Sequence, residues 1–373
     1  MPNLIPLLTK LGLLLPLLCI PPLLGAMWQG EDWRDYFTFP PITRRIQQPD
    51  FSLAVFLLFT GIVVATGWFF LALGRRSSLV ETDPPARAPF PLFGWLGLAL
   101  ILIFWPLAWT RVDWFAPWQV HTFTPIWLGY ILFVNGLIVW RGGVSPLQAQ
   151  PAAFVALFIY SAVFWWFFEY LNRFVGNWVY DIGIPLSSTD YVYFSSIAFS
   201  TVLPAVVSTT ALLRTFPSLN HRFTAGPVVE KNTLRRASCF ALPLSAALLV
   251  CVGRFPDYCF PMLWLAPLLA VWALQRLVGA DPLRGIEQGD WRAICLPALA
   301  ALICGFGWEL WNWHSMARWE YQIPFVARFY LFEMPALGYA GYLPFGVECI
   351  VATSLLSPSL AWGQSPALSR QSG

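Results

Sequence analysis

The sequence predicts an all-α integral membrane protein with about ten transmembrane helices: two parallel four-helix repeats after an N-terminal helix pair. Three observations predict this fold class. The 373 residues are 58% hydrophobic and only 11% charged, against about 25% charged in a soluble domain. Long apolar runs recur along the chain, and one motif of acidic, amide and aromatic residues occurs twice. A soluble enzyme is excluded, and the net charge of +3 does not indicate nucleic-acid binding.

A transmembrane helix needs about 20 mostly apolar residues, and ten stretches come close to this requirement. We predict spans near residues 11–28, 52–74, 93–110, 122–140, 152–172, 191–213, 237–253, 261–275, 293–312 and 331–356. Pro16, Pro21 and Pro22 predict a kinked or partly re-entrant first helix. Lys10 ahead of an apolar stretch is also typical of a signal peptide. No small-residue cleavage site follows cleanly, so we favour a retained helix.

Basic residues predict the orientation, because cytoplasmic loops carry an excess of Lys and Arg. Lys and Arg are more numerous before the first span and after the second, fourth, sixth, eighth and tenth than in the other connecting segments. The richer set includes Arg284 and Arg370. We therefore expect both termini to be cytoplasmic, in a plasma membrane and specifically a bacterial inner membrane.

A motif at the end of the fifth span returns at the end of the ninth. The matching residues, at offsets of 140 or 141, are Glu169, Asn172, Trp178 and Tyr180 in the first copy and Glu309, Asn312, Trp319 and Tyr321 in the second. Weaker matches extend the similarity over spans three to six and seven to ten. Each unit has an even number of spans, which predicts a pseudo-twofold axis along the membrane normal.

The duplication divides the chain into five segments. They are an N-terminal two-helix extension (1–90), a first four-helix repeat (91–214), a cytoplasmic linker (215–236), a second four-helix repeat (237–356) and a polar C-terminal tail (357–373). Pro217, Gly226 and Pro227 indicate that the linker is a boundary.

Ionisable residues inside a membrane are candidates for a functional site by default. A carboxylate near a helix C-terminus also opposes the helix dipole. We expect Arg173 to offset this cost for Glu169. For Glu309 we expect either that Arg318, Arg328 or His314 does so or that the carboxyl group is protonated, since desolvation raises the pKa of a buried carboxyl group. The structural alternative is that Glu and Asn bond loop amides, while Trp and Tyr form an interfacial belt.

The second copy carries acidic groups that the first copy lacks. We place Glu333 one turn into the tenth span, at the depth of Glu309, and Glu348 about 22 Å further along the helix. Glu309, Glu333 and His314 are the predicted acid/base residues, and Glu348 is a predicted proton-pathway residue. The predicted substrate-binding residues are Asn312, Trp319, Tyr321, Tyr339, Tyr342, Glu169 and Asn172.

Metal and cofactor sites are not predicted. Six of the seven cysteines lie in apolar runs without a Cys-x-x-Cys pair, which is typical of small buried hydrophobic residues. No Gly-rich nucleotide-binding loop occurs. We expect membrane lipids and an apolar small molecule as partners, and no nucleic acid.

Three functions remain open. A membrane enzyme would protonate a lipid or isoprenoid-like substrate through a buried Glu, and aromatic faces would stabilise the positive charge that develops. A proton-coupled transporter or permease suits parallel repeats and buried carboxylates, although transporter sites are expected near the midplane. A structural subunit of a membrane complex is the third alternative. The aromatic wall favours the first function narrowly.

Overall fold

The computed structural model describes residues 4–41, 45–76, 86–283 and 285–362, which are mostly helical. The helices are α1 (Leu4–Gln29), α2 (Leu53–Arg76), α3 (Leu92–Trp109), α4 (Phe123–Trp140), α5 (Pro146–Ala149), α6 (Pro151–Val175), α7 (Ser188–Phe199), α8 (Val202–Arg214), α9 (Pro217–Arg222), α10 (Lys231–Arg254), α11 (Pro256–Cys259), α12 (Met262–Leu277), α13 (Arg292–Asn312), α14 (Tyr342–Leu356) and α15 (Pro358–Trp362). The strands are β1 (Trp178–Asp181), β2 (Arg318–Tyr321), β3 (Tyr330–Leu331) and β4 (Met334–Pro335). Shorter 3-10 helices span Trp33–Phe37, Asp113–His121, Ile286–Gln288 and Ala336–Gly341. Arg284, Arg370 and the tail from residue 363 lie outside the described residues.

Nine helical segments within the described ranges are long and apolar enough to cross a membrane, so the chain is a polytopic membrane protein, as predicted. The predicted span 261–275 corresponds to α12, which has only 16 residues and is shorter than the roughly 20 that a bilayer requires. The predicted span 191–213 is divided into α7 and α8. The hydroxyls of Ser200 and Thr201 donate to backbone oxygens of Ile197 and Ala198 at this break, a local alternative to helical hydrogen bonding.

The start of the last predicted span is wrong. Residues 330–335 form an antiparallel hairpin of β3 and β4, and α14 begins only at Tyr342. Pro335 disfavours helical backbone at the residue before it, and Phe332 has a left-handed φ of 57°. Glu333 therefore lies in the hairpin turn and not one turn inside a transmembrane helix.

Helix α1 is continuous through its three prolines and packs closely on α10. A Cβ atom at Gly25 would lie 2.1 Å from the backbone oxygen of Val250, and one at Gly253 would lie 2.0 Å from that of Pro22. Only glycine permits such an approach of two backbones. Helix α1 is thus an integral part of the described bundle.

Helix α2 is held mainly near its two ends. At its start, the backbone N–H of Ser52 donates to the oxygen of Phe325 at 2.9 Å. Towards its other end, the ring of Phe69 meets that of Trp291 edge-on at 5.4 Å. In the apolar stretch Leu53–Arg75 only Leu73, near the end that faces Trp291, is buried, so the middle of α2 packs against few other residues.

The two copies of the motif meet at one end of the bundle. Helices α6 and α13 both end there, and β1 pairs with β2 in antiparallel register. Trp178 lies opposite Tyr321, and Tyr180 lies opposite Trp319. We call this the strand end and the opposite one, which carries residues 215–236, the linker end.

Candidate functional site

In each copy, the motif's Asn connects its helix to the strand that follows. Asn172 Nδ2 donates to the backbone oxygen of Trp178 at 2.8 Å, and its Oδ1 accepts the N–H of Asn177 at 2.8 Å. Asn312 Nδ2 donates to the oxygen of Trp319 at 2.7 Å, and its Oδ1 accepts the N–H of that residue at 2.8 Å. Both amides are therefore used within the protein and position the strands, as the structural alternative expects.

Glu169 is completely buried among aromatic hydrogen-bond donors. Its Oε1 accepts the hydroxyl of Tyr180 at 2.6 Å and the indole N–H groups of Trp178 and Trp165 at 3.0 Å each. Three donors on one oxygen offset part of the cost of removing a carboxyl group from water.

Glu309 is equally buried, but its donors differ. Its Oε1 accepts the hydroxyls of Tyr321 at 2.8 Å and Tyr342 at 2.7 Å. The indole of Trp319 donates to the hydroxyl of Tyr321 at 2.9 Å, so it acts on the carboxyl group indirectly. In both glutamates, Oε2 is buried and has no hydrogen-bond partner among the described residues.

The charged partners that we expected for these glutamates bind elsewhere. Arg173 donates to the backbone oxygens of Tyr36 and Thr38. Arg318 pairs with Asp181 at 3.1 Å and Glu320 at 3.2 Å. Arg328 lies over the ring of Phe51 at 5.1 Å. The predicted ion pairs with Glu169 and Glu309 are therefore wrong, because phenol and indole groups take their place.

A cavity of about 890 Å³ lies beside these groups and extends from the strand end towards the linker end. Helices α2, α7, α12 and α14 contribute its sides. Its wall at the strand end includes Trp178, Tyr180, Trp319, Tyr321 and Tyr342. We call these five residues the aromatic wall. They hide the two glutamates from the cavity and hydrogen-bond, directly or through Tyr321, to them.

The phenols and the imidazole near the strand end are electrically neutral. Burial, followed by the nearby Glu169, raises the pKa of Tyr180 far above its ordinary value. Burial and Glu309 do the same to the pKa of Tyr321. Burial lowers the pKa of His121, which also lines the cavity. The tyrosines therefore keep their hydroxyl protons and remain hydrogen-bond donors, and His121 is present as a neutral imidazole at neutral pH.

Besides the two glutamates and two asparagines of the motif, four more predicted site residues do not line the cavity. His314 is an exposed turn residue with a φ of 60°, and its ring lies 4.0 Å from that of Trp313. Glu333 lies in the β3–β4 turn. The Tyr339 hydroxyl donates to a backbone oxygen of β3 at 3.2 Å. Glu348 is 2% exposed within α14, and its Oε2 has no hydrogen-bond partner in the described chain.

Sequence reasoning missed two residues that line the cavity, Trp165 and Asn177. Trp165 lies four residues before Glu169, and this spacing, which places both on one helix face, could have identified it. Asn177 stands in no pattern that predicts its position. Among the described residues, no group of three or more His, Cys, Asp and Glu is placed to hold a metal ion.

Comparison with family models, with curated proteins and with solved structures finds no match to this chain.

Proposed function

We propose that the protein binds and transforms a lipid or isoprenoid-like molecule in this cavity by acid/base chemistry. One observation carries the proposal: a single, mostly apolar cavity has a wall of phenols and indoles directly in front of two buried carboxyl groups. Its volume lies in the range of about 300–1,000 Å³ that is typical of small-molecule sites.

The geometry supports proton transfer to an apolar double bond. Tyr342 lines the cavity and hydrogen-bonds to Glu309. In the proposed step Glu309 is protonated and the hydrogen bond between the two residues is reversed, so that Glu309 donates to Tyr342. The Tyr342 hydroxyl then gives its proton to a substrate carbon while Glu309 gives its proton to the Tyr342 oxygen. The substrate becomes a carbocation, which the faces of Trp178 and Trp319 stabilise. Loss of a proton from a neighbouring carbon along the reverse path restores both groups, so the net reaction is an isomerisation or a cyclisation.

A second candidate function is proton-coupled transport. It is favoured by the extent of the cavity, which is lined by His121 at the strand end and by Ile286 and Trp291 at the linker end. Glu348, buried in α14, would then hold the coupled proton. Proton flux in liposomes without chemical change of the substrate would favour this candidate over the enzyme.

We also propose the parallel repeats and the orientation that the sequence predicts. The register in which Trp178 lies opposite Tyr321 and Tyr180 opposite Trp319 is what a twofold relation between the copies requires. In a bacterial inner membrane, the strand end would face outward. An Ile184→Cys variant should then react with an impermeant maleimide in intact cells and Asn232→Cys should not, in a background where Cys239 is serine.

The binding proposal is tested by filling the cavity. Ala198 lines it, whereas Ala152 is exposed on the lipid-facing side of α6. Purified wild type and Ala152→Phe should retain the same apolar molecule in mass spectra of extracted lipids, and Ala198→Phe should lose it. Equal retention by both variants would contradict a ligand in this cavity.

A further inference from the structure

The polar groups that line the cavity are unevenly distributed along its length. His121, Asn177, Tyr180, Arg318, Tyr321 and Tyr342 lie at or near the strand end. The linker end is lined by Val229, Leu234, Leu283, Ile286 and Ile294. Trp291, also at that end, uses its indole N–H on the backbone oxygen of Pro227 at 2.9 Å. The cavity is therefore amphipathic, with one polar end and one apolar end.

Asn177 carries a buried polar atom without a partner. It is only 5% exposed, lines the cavity, and its Oδ1 has no hydrogen-bond partner among the described residues. Its backbone is fully used, because its N–H donates to Asn172 and its oxygen accepts from Gln322 at 2.7 Å. A buried acceptor without a partner costs about 1–3 kcal/mol in general. A ligand that hydrogen-bonds there removes this cost.

Arg318, the basic residue that lines the cavity, is already paired. It lies 3.1 Å from Asp181 and 3.2 Å from Glu320, and Glu320 also binds Arg45 at 2.5 Å. The positive charge of Arg318 is therefore not free to bind a phosphate in the cavity. Glu309 and Glu169 lie behind the aromatic wall and would repel an anion whenever they are ionised.

From this arrangement, and resting on the proposed function, we propose that the ligand is an amphipathic molecule with an uncharged hydroxyl or carbonyl end group. The end group hydrogen-bonds to the Asn177 amide, and the hydrocarbon chain extends towards the linker end. A hydroxyl end group can donate to the unpaired Oδ1, whereas a carbonyl end group would accept from the Nδ2 hydrogens of the same amide. The face of α2 that lines the cavity, from Phe59 to Phe70, gives the chain a wall about 16 Å long at 1.5 Å per residue.

The test compares three probes on the purified full chain: a C20 isoprenoid alcohol, its diphosphate and a C20 isoprenoid hydrocarbon. Quenching of tryptophan fluorescence reports binding, since Trp178, Trp264 and Trp319 line the cavity. The alcohol should bind about tenfold more tightly than either other probe, which corresponds to about 1.4 kcal/mol. In Asn177→Leu this advantage over the hydrocarbon should disappear, while the hydrocarbon affinity stays the same. Asn232→Leu, at an exposed position, should behave as wild type.

Two results would overturn the inference. One is equal affinity of wild type for alcohol and hydrocarbon, and the other is tightest binding of the diphosphate or of a co-purified phospholipid. In both cases the cavity still binds a lipid, so the proposed function survives. If no probe binds and Ala198→Phe changes nothing in the extracted lipids, the proposed function itself fails. The comparison of probes on wild type does not depend on the folding of any variant.

Discussion

The ring of Tyr342 occupies the space that a side chain at Gly305 would fill. A Cβ atom at position 305 would lie 2.4 Å from the ring. Gly305 stands four residues before Glu309, as Trp165 stands four residues before Glu169. In the first copy the tryptophan of the same helix donates to the glutamate. In the second copy glycine makes room for a tyrosine from α14, which donates instead.

Gly305→Ala should therefore displace Tyr342 from Glu309. The added methyl group cannot fit beside a rigid ring, and overpacking of this kind costs about 1–3 kcal/mol. We expect a lower unfolding temperature together with loss of activity. Gly307→Ala is the matched control, because its Cβ would meet its nearest neighbour at an ordinary 3.5 Å. Equal behaviour of the two variants would show that Tyr342 does not need this space.

Glu309→Gln should abolish most of the activity while preserving the fold. The glutamine oxygen can still accept the hydroxyls of Tyr321 and Tyr342, but the amide cannot transfer a proton. Loss of general acid catalysis predicts a decrease of about 10²-fold or more in kcat. We expect a smaller loss for Glu169→Gln, since none of its hydrogen-bond donors comes from α14.

Glu333→Gln distinguishes between the position of Glu333 in the structure and the acid/base role that the sequence predicts for it. Because Glu333 lies in the β3–β4 turn and does not line the cavity, we expect nearly unchanged turnover of the co-purified substrate. A loss as large as that of Glu309→Gln would restore Glu333 as an acid/base residue. Full activity of Glu309→Gln would instead show that the proposed acid/base chemistry does not take place at this site.

Asn312→Ala should destabilise the connection between α13 and β2. It removes two hydrogen bonds to the backbone of Trp319 and leaves polar groups there unpaired, at a cost of about 2 kcal/mol or more. The unfolding temperature in detergent should fall clearly. Asn232→Ala, at an exposed position, should leave it unchanged, and similar temperatures for both variants would argue against the positioning role.

Gly253→Leu tests the packing of α1 on α10. The new side chain would collide with the backbone of Pro22, so we expect poor recovery of monodisperse protein. Gly61→Leu on α2 is the control, since nothing lies within 4 Å of a Cβ atom there. Normal recovery of Gly253→Leu would mean that α1 does not occupy this position.

The charges at the strand end predict a small dependence of stability on pH. Partial burial tends to raise the pKa of Glu320, but hydrogen bonds and charge from Arg45 and Arg318 outweigh it and lower the pKa. A lowered pKa stabilises the fold at pH values above the pKa of the unfolded state, about 4.3. This contribution is lost as the pH falls through the pKa of the folded state. Glu320→Gln should cost up to about 1 kcal/mol at pH 7. In melting curves the difference from wild type should narrow as the pH falls through the lowered pKa of Glu320 in the folded state, and a constant difference would contradict the ion pairs.

Several features could be predicted from the sequence, because few kinds of structure can span a bilayer. Apolar runs of sufficient length predict helices, and most predicted spans agree with α1 to α14 within a few residues. The recurrence of Glu169 as Glu309 marked the two helices that end in buried carboxyl groups. Glu333 was misplaced because an apolar run does not reveal where Pro335 forces the chain out of a helix.

The sequence by itself determined that this is a polytopic membrane protein and which two helix ends carry buried carboxyl groups, since hydropathy and spacing act locally along the chain. Only the tertiary structure decided what surrounds those groups. The turns that lead into β1 and β2 bring Tyr180 to Glu169 and Tyr321 to Glu309, and α14 brings Tyr342, which is 33 residues from Glu309 in sequence, to the same carboxyl group. The cavity beside them lies between helices whose proximity cannot be predicted from the spacing of residues in the sequence. Both depend on how the helices pack, and packing is a property of the folded protein.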